Sequence, residues 1–388
     1  MARHYLDHAS TSPPRPEVVE ALTAWLALAG DGGAGDPGRI HTEGMTARVA
    51  LEQAREQVAA LIGARSREVV FTSGATEAIT AATWGAVRRA VDAGAEPHVV
   101  LAAVEHSAVR QSSASFAEAF GGSLTVVGVD RVGRVDPDEI VAAVRPDTAL
   151  VHLQWGNHEV GTVQPVAEVV SACRERGVLV HVDLAQAAGR VPVDLGALGA
   201  DLASVSGHKL GGPAGTGVLF VRRGLRLQPL LLGGDQERAR RAGMEDVPAL
   251  VGLGAAAATL AEGGLAVEEV AARSHTAALV EAFTAVEGVH LLGDPSPDGR
   301  LPHLVCLAVD GVEPQGVLLG LDQRGVAAHS GSACASEGLE PSPVLEAMGV
   351  DAHRSLRLSV GWSTTDADVA AAAAAFPDVV ARLRSLAG

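Results

Sequence analysis

Lys209 stands directly behind an apolar run, in Ser204-Val-Ser206-Gly-His208-Lys209-Leu-Gly-Gly-Pro213. That setting suits a lysine that forms an imine with a carbonyl compound. Partial desolvation lowers its pKa, and the serine and histidine beside it can donate to a phosphate. An ordinary lysine more often lies on a polar face. Asp183 closes the apolar stretch Val178-Leu-Val-His-Val-Asp183, and a buried acid there can hold a proton on a ring nitrogen. A strand-end aspartate that merely caps the next helix has the same signature. Gln186, three residues on, would share one helical turn with it. Ser73-Gly74-Ala75-Thr76-Glu77 follows the apolar Val69–Phe71 and opens a helical pattern, so its backbone N–H groups could receive a phosphate. A plain N-cap with an acid in the first turn fits the fragment equally well.

The cysteines Cys173, Cys306 and Cys334 are odd in number, widely spaced and without a Cys-x-x-Cys pair. This argues against a disulfide framework and a thiolate zinc site, and no metal is expected. Cys334 lies among small residues in Ser330-Gly-Ser-Ala-Cys-Ala-Ser-Glu-Gly338, as a loop must if its sulfur is to move between two positions. A buried inert thiol is the alternative for Cys334 alone. Cys306, mid-strand, and Cys173, on a helical segment, fit that alternative.

These residues need a frame, and the apolar pattern supplies one. Short runs at Val69–Phe71, Val99–Val104, Leu124–Val129, Ala149–Leu153, Val178–Val182, Leu202–Ser206 and Gly217–Val221 read as strands buried on both faces, separated by helical stretches such as Thr76–Ala93 and Pro165–Arg176. The spacing predicts an α/β domain with a mostly parallel sheet, whose ligands gather at the carboxyl ends of the strands. After about Val247 the rhythm changes to long helical patterns (Ala249–Ala261, Val267–Val286), strand-like His303–Val309, helix-like Pro314–Arg324, strand-like Ser355–Ser359 and a last helix. A smaller α+β domain is expected there. The expected division is a large domain over 14–247 and a small one from 1–13 and 248–388, which carries the Cys334 loop.

With 388 residues the chain can bury a full core, and 47% hydrophobic with 20% charged residues excludes disorder. A net charge of −16 argues against nucleic acid or anionic membrane as a partner. No apolar stretch reaches the ~20 residues of a membrane span before Glu or Gly interrupts it, and the first residues lack a secretory h-region, so a cytoplasmic location is expected.

Ser73-Gly-Ala-Thr-Glu77, Glu105-His106, Asn157-His-Glu-Val-Gly161, His181-Val-Asp-Leu-Ala-Gln186, Ser206-Gly-His-Lys209 and Ser330-Gly-Ser-Ala-Cys334 occur in the order and spacing of the NifS/IscS cysteine desulfurases. The chain resembles that family, part of the class V aminotransferase group of pyridoxal phosphate (PLP) enzymes, from Tyr5-Leu-Asp-His-Ala9 to Leu356-Arg357-Leu-Ser-Val-Gly361. The resemblance implies fold type I and a homodimer with its site between subunits. It also implies that Lys209 forms the imine with PLP, Asp183 pairs with the ring nitrogen, and His106 stacks on the ring and helps move protons. Gln186 would bond the ring hydroxyl. Thr76, Ser206 and His208, with the backbone at Gly74 and Ala75, would hold the phosphate, and Asn157 and Arg357 the substrate carboxylate. Cys334 would take sulfur from L-cysteine as a persulfide, release alanine, and pass the sulfur to a protein acceptor.

The chain departs from the family pattern at Arg241-Ala-Gly-Met244, where Arg-Ser-Gly-Thr is usual and its hydroxyl reaches the neighbouring subunit's phosphate. Asp36-Pro37-Gly38, His158 and His329 are further departures. Two rivals remain at this level. One is another PLP reaction on the same scaffold: C–S lysis, selenocysteine lysis or transamination. The other is a binding protein that has kept the fold and lost the cofactor.

Overall fold

Twelve strands account for the sheets of the computed structural model, which describes residues 3–330, 341–351 and 354–387. They are β1 (His4–Tyr5), β2 (Val69–Thr72), β3 (His98–Ala102), β4 (Ser123–Val127), β5 (Thr148–Gln154), β6 (Leu179–Asp183), β7 (Leu202–Ser206), β8 (Gly217–Val221), β9 (Val289–Leu292), β10 (Leu304–Val309), β11 (Val326–Ala327) and β12 (Ser355–Ser359). The seven runs read as buried strands form one sheet in the order β2-β8-β7-β6-β5-β3-β4. Strands β7, β6, β5, β3 and β4 are parallel. β8 runs against both β7 and β2. Two reversals cancel, so β2 points the same way as β7. The carboxyl ends of β2, β3, β5, β6 and β7 therefore share one edge with the start of β8.

β2, β3, β7 and β8 are buried at every position, which is why their sequences are unbroken apolar runs and not alternations. The second lobe alternates. Its antiparallel sheet, β12-β10-β9, puts Val305, Leu307 and Val309 into a core with Leu279, Phe283, Phe376 and Val380, while Leu304 and Cys306 join the first lobe's core. On β12, Leu356 and Leu358 face the second core, so the period of two turns Arg357 the other way, toward the first lobe.

The expected boundary at 247 is not where the two cores divide. The helix Val247–Thr259 packs on the helices Pro16–Gly30 and Thr42–Leu61, and Leu250, Leu253, Ala256 and Leu260 belong to the first core. The second core takes Leu6 from the N-terminal segment and otherwise starts at Ala272. Helical periodicity reveals an apolar face but not which sheet or helix that face will meet. By length and composition the run 247–284 could also cross a membrane. Here it is broken by a π-turn at Leu260–Gly264, where Gly263 takes φ 111°; Leu250, Leu253 and Leu260 pack in the first core, whereas Val267 and Val270 beyond the break are exposed.

Candidate active site

The shared strand edge opens into a cavity of about 540 Å³. Gly74, Ala75, Thr76, His106, Asp183, Gln186, Ser206, His208, Lys209 and Arg357 all line it, together with Ser10, His158 and His329. Sequence positions more than 280 residues apart thus converge, as Gly74 and Arg357 show.

At one end, β2 leads through Gly74 into the helix Ala75–Asp92, whose first N–H groups and dipole face the cavity. Glu77 accepts from the Ser73 N–H at 2.8 Å and from Arg241 at 2.9 Å, which ties the turn to the segment carrying Met244. β8 enters beside it so closely that a Cβ on Gly217 would lie 2.5 Å from the Gly74 backbone. Only glycine allows this approach, and the result is a cradle with Thr76, Ser206 and His208 on its rim.

At the other end, Asp183 Oδ1 accepts from Ser204 Oγ at 2.8 Å and from the Ala185 N–H at 3.0 Å. Its register partners are Gln154 and Ser204. His106 caps the helix Ser107–Ala119, its Nδ1 accepting from the Ala108 N–H at 3.1 Å, which leaves the proton of the neutral ring on Nε2. Burial lowers His106 to about 4, with His158, Lys209 and Arg110 adding to the effect against the opposing pull of Asp183. His158 meets it edge-on, the ring centroids 5.2 Å apart.

Lys209 rides on the short turn Gly207–Leu210 after β7 and is half-buried, lining the cavity. Burial, with Arg357 and Arg190, brings its amine down to about 8 against the raising effect of Asp183 and Asp7. It is also the only lysine among the 30 Lys and Arg residues of the chain. That count was available in the sequence and by itself singles out the one ε-amine able to form an imine.

These residues fit PLP: an anion cradle at a helix N-terminus, a carboxylate at the end of β6, an imidazole between them and a desolvated amine. Since only the uncharged amine attacks an aldehyde, capture of PLP by cofactor-free protein should quicken as pH rises through about 8 and level off above it. Rapid-mixing absorbance measures this, and a rate independent of pH between about 6 and 10 would contradict it.

Arg357 is 1% exposed, donating from Nη1 to the His158 carbonyl at 2.8 Å and from Nη2 to Asp7 at 3.1 Å and Ser10 at 2.7 Å. Its Nε has no partner among the described residues. Asn157, expected beside it at a carboxylate, does not line the cavity. Its amide oxygen accepts from the Glu159 and Val160 N–H groups, both at 2.8 Å, and its NH₂ donates to the Val104 carbonyl at 3.2 Å. Two bonds commit its oxygen to the turn and the third ties its NH₂ to Val104, beyond the end of β3. Gln186 does line the cavity, but its NH₂ donates to the Ala9 carbonyl at 2.9 Å and its oxygen lies 3.1 Å from His303 Nε2.

Cys334 lies outside the described residues. The other two thiols are buried, and burial pushes Cys173 up to about 11 and Cys306 to about 12, far from a thiolate at neutral pH. Sequence reasoning missed the supports of the site: Ser204 under Asp183, Glu77 under the cradle, and the buried Arg55–Glu237 pair, with bonds of 2.7 Å. That pair anchors the left-handed turn at Glu237, Arg238 and Ala239 (φ 49°, 59° and 61°) just before Arg241.

Comparison with known proteins agrees with this geometry. The aminotransferase class-V family matches residues 4–371. Cysteine desulfurase IscS of Methanosarcina thermophila is 38% identical, over 98% of this chain and 93% of that protein. Putative cysteine desulfurase IscS 1 of Bacillus subtilis is 40% identical, over 99% and 100%. Among solved structures, a NifS-like protein superposes with a TM-score of 0.89 at 28% identity, covering 98% of this chain and all of the other.

Proposed function

This chain belongs to the aminotransferase class-V family as a PLP-dependent cysteine desulfurase, and from that premise we propose the following division of labour among its residues. Bound PLP supplies an electron sink conjugated to the substrate α-carbon. Lys209 would hold the cofactor and, once freed by the substrate, take the α-proton. Asp183, oriented by Ser204 and Ala185, would keep the ring nitrogen protonated, and His106 would face the ring as a neutral imidazole that can pass a proton through Nε2. Thr76, Ser206 and His208 with the N–H groups at Gly74 and Ala75 would bind the phosphate. Arg357 would take the carboxylate of L-cysteine by the charge-assisted contacts a guanidinium offers. The Cys334 thiolate would then attack the substrate sulfur, the S–S bond forming as the substrate C–S bond breaks, and protonation of the remaining carbon skeleton gives alanine. The observation that carries this reading is the meeting of the only lysine, desolvated, with Asp183 and a helix N-terminus on one sheet edge.

The test is product analysis. PLP-loaded protein given L-cysteine and a thiol reductant should release alanine and sulfide in equal amounts. Pyruvate and ammonia in place of alanine would instead indicate a lyase.

The proposal extends to a cytoplasmic homodimer that hands sulfur to a protein acceptor. Exposed apolar side chains support a partner surface: Ile40, Met45 and Val49 near the helix Thr42–Leu61, and Leu231, Leu232 and Met244 on the loops beside the cradle. Met244, 63% exposed, is where the family's threonine would reach a neighbour's phosphate. Both neighbouring arginines are partly committed within the chain, each through Nε and Nη2. Arg241 is bound to Glu77, and Arg240 to the carbonyls of Glu237 and Val69. A hydrogen bond to a charged group contributes ~1.5–3 kcal/mol, so Met244→Thr should tighten PLP binding by roughly tenfold to a hundredfold. Dissociation constants of the two proteins decide this, and equal affinity would mean that the phosphate is already satisfied.

A further inference from the structure

Arg190 is a buried cation that lies outside the cavity lining and has no role above in holding cofactor or substrate. It lies one helical turn beyond Gln186, is 7% exposed, and donates from Nη2 to the Lys209 carbonyl and to Ser12 Oγ, both at 2.9 Å. Ser12 Oγ also meets His8 Nδ1 at 2.9 Å, and the Ser12 N–H donates to the His208 carbonyl at 3.1 Å. Arg15 Nε donates to the Leu210 carbonyl at 2.7 Å. The N-terminal segment is thereby laced onto the turn that carries Lys209, with Arg190 at the crossing.

Both acceptors of Arg190 are neutral. Among the described residues it forms no ion pair, because Glu268, the carboxylate whose charge reaches it, is gripped by Arg15 at 2.5 and 2.8 Å. A charge buried without a paired counter-ion is weakly screened and acts on its neighbours over several ångströms. The charged groups facing Lys209 are Asp183 from β6, Asp7 from the N-terminal segment, Arg357 from β12 and Arg190. The imidazoles of His106 and His208 are held neutral by burial.

We propose that Arg190 is a positioning residue for Lys209: its guanidinium fixes the Lys209 carbonyl on the turn and keeps an unpaired positive charge beside the residue that carries the amine. The idea takes its meaning from the reading of Lys209 as the cofactor's amine, but its test is made without cofactor, so the two can fail separately. Because the chain has a single lysine, labelling with [13Cε]lysine gives one side-chain resonance whose pH titration reports Lys209 directly.

Arg190→Gln, which removes the charge and keeps an amide donor, should raise the midpoint by on the order of one pH unit, about a tenfold gain in proton affinity. Ser12→Ala, which loses a hydrogen bond and keeps the charge, should leave it within a few tenths of a unit. Arg190→Lys should do the same for the Lys209 resonance, the added lysine giving a second signal absent from the parent. An unchanged midpoint in Arg190→Gln overturns the proposal, as does an equal shift in Arg190→Gln and Ser12→Ala. If Arg190→Gln does not fold, Arg190→Met, which removes the charge and keeps the side-chain length, takes its place: a rise near one unit upholds the proposal and an unchanged midpoint overturns it.

Discussion

Lys209→Ala should abolish both the covalent attachment of PLP and turnover. The chain offers no other ε-amine, so the cofactor has no second lysine to migrate to. In the proposed division of labour the substituted side chain is also the group that takes the α-proton. Positioned proton transfer alone is worth roughly 10²–10⁴-fold, and covalent anchoring of the cofactor adds to it, so the loss of kcat should be at least of that order. The parent protein should be yellow, and borohydride should fix the cofactor on the peptide containing Lys209. In the variant the cofactor should wash out and no reduced adduct should form. A reducible adduct surviving in Lys209→Ala, which could sit only on the α-amino group, would overturn the assignment. The loss should not reflect unfolding, since Lys209 supports the fold through its backbone carbonyl, which alanine retains.

Cys334→Ser should separate binding from sulfur transfer. L-Cysteine should still bind, with the spectral change that accompanies it, because in the proposed division of labour binding draws on Arg357 and the cofactor and not on the thiol. Alanine should not be released, because a serine hydroxyl, with a pKa far above neutrality, does not attack the substrate sulfur in place of a thiolate. The expected fall in alanine production is on the order of 10²-fold or more at unchanged substrate affinity. Alanine formed at the parent rate would remove Cys334 from the reaction and favour a selenocysteine-lyase type of C–S cleavage, which yields alanine without an enzyme thiol. Cys173→Ala serves as the control. Its thiol is buried and held up to about 11, so activity should be retained.

Two patterns let the primary structure announce this site. Strands buried on both faces must be written as unbroken apolar runs, and so Leu202–Ser206 and Gly217–Val221 could be located to the residue, with Lys209 and Asp183 visible at strand ends. The chemistry of Lys209, Asp183 and the Gly74–Thr76 turn depends on side-chain type and on position at a strand or helix terminus, both local properties of the chain. The count of one lysine, also legible without any structure, points to the same residue.

What the sequence left open is non-local. Asn157 and Arg357 were read as one carboxylate-binding pair, yet only packing decides that Asn157 spends its amide on the turn at Glu159 and Val160 while Arg357, on the inward face of β12, reaches the cavity. The helix Val247–Thr259 carries an apolar face that would serve either lobe, and its contact with the helix Thr42–Leu61 assigns it to the first. Arg190 is one charged residue on a short turn until the fold brings the Lys209 carbonyl and Ser12 to its Nη2, 19 and 178 residues away along the chain. Periodicity and residue type encode what each segment can do alone. Which carboxylate, carbonyl or imidazole stands opposite a given side chain is fixed only when the sheet edge closes over both lobes, because desolvation and pairing are properties of the assembled neighbourhood.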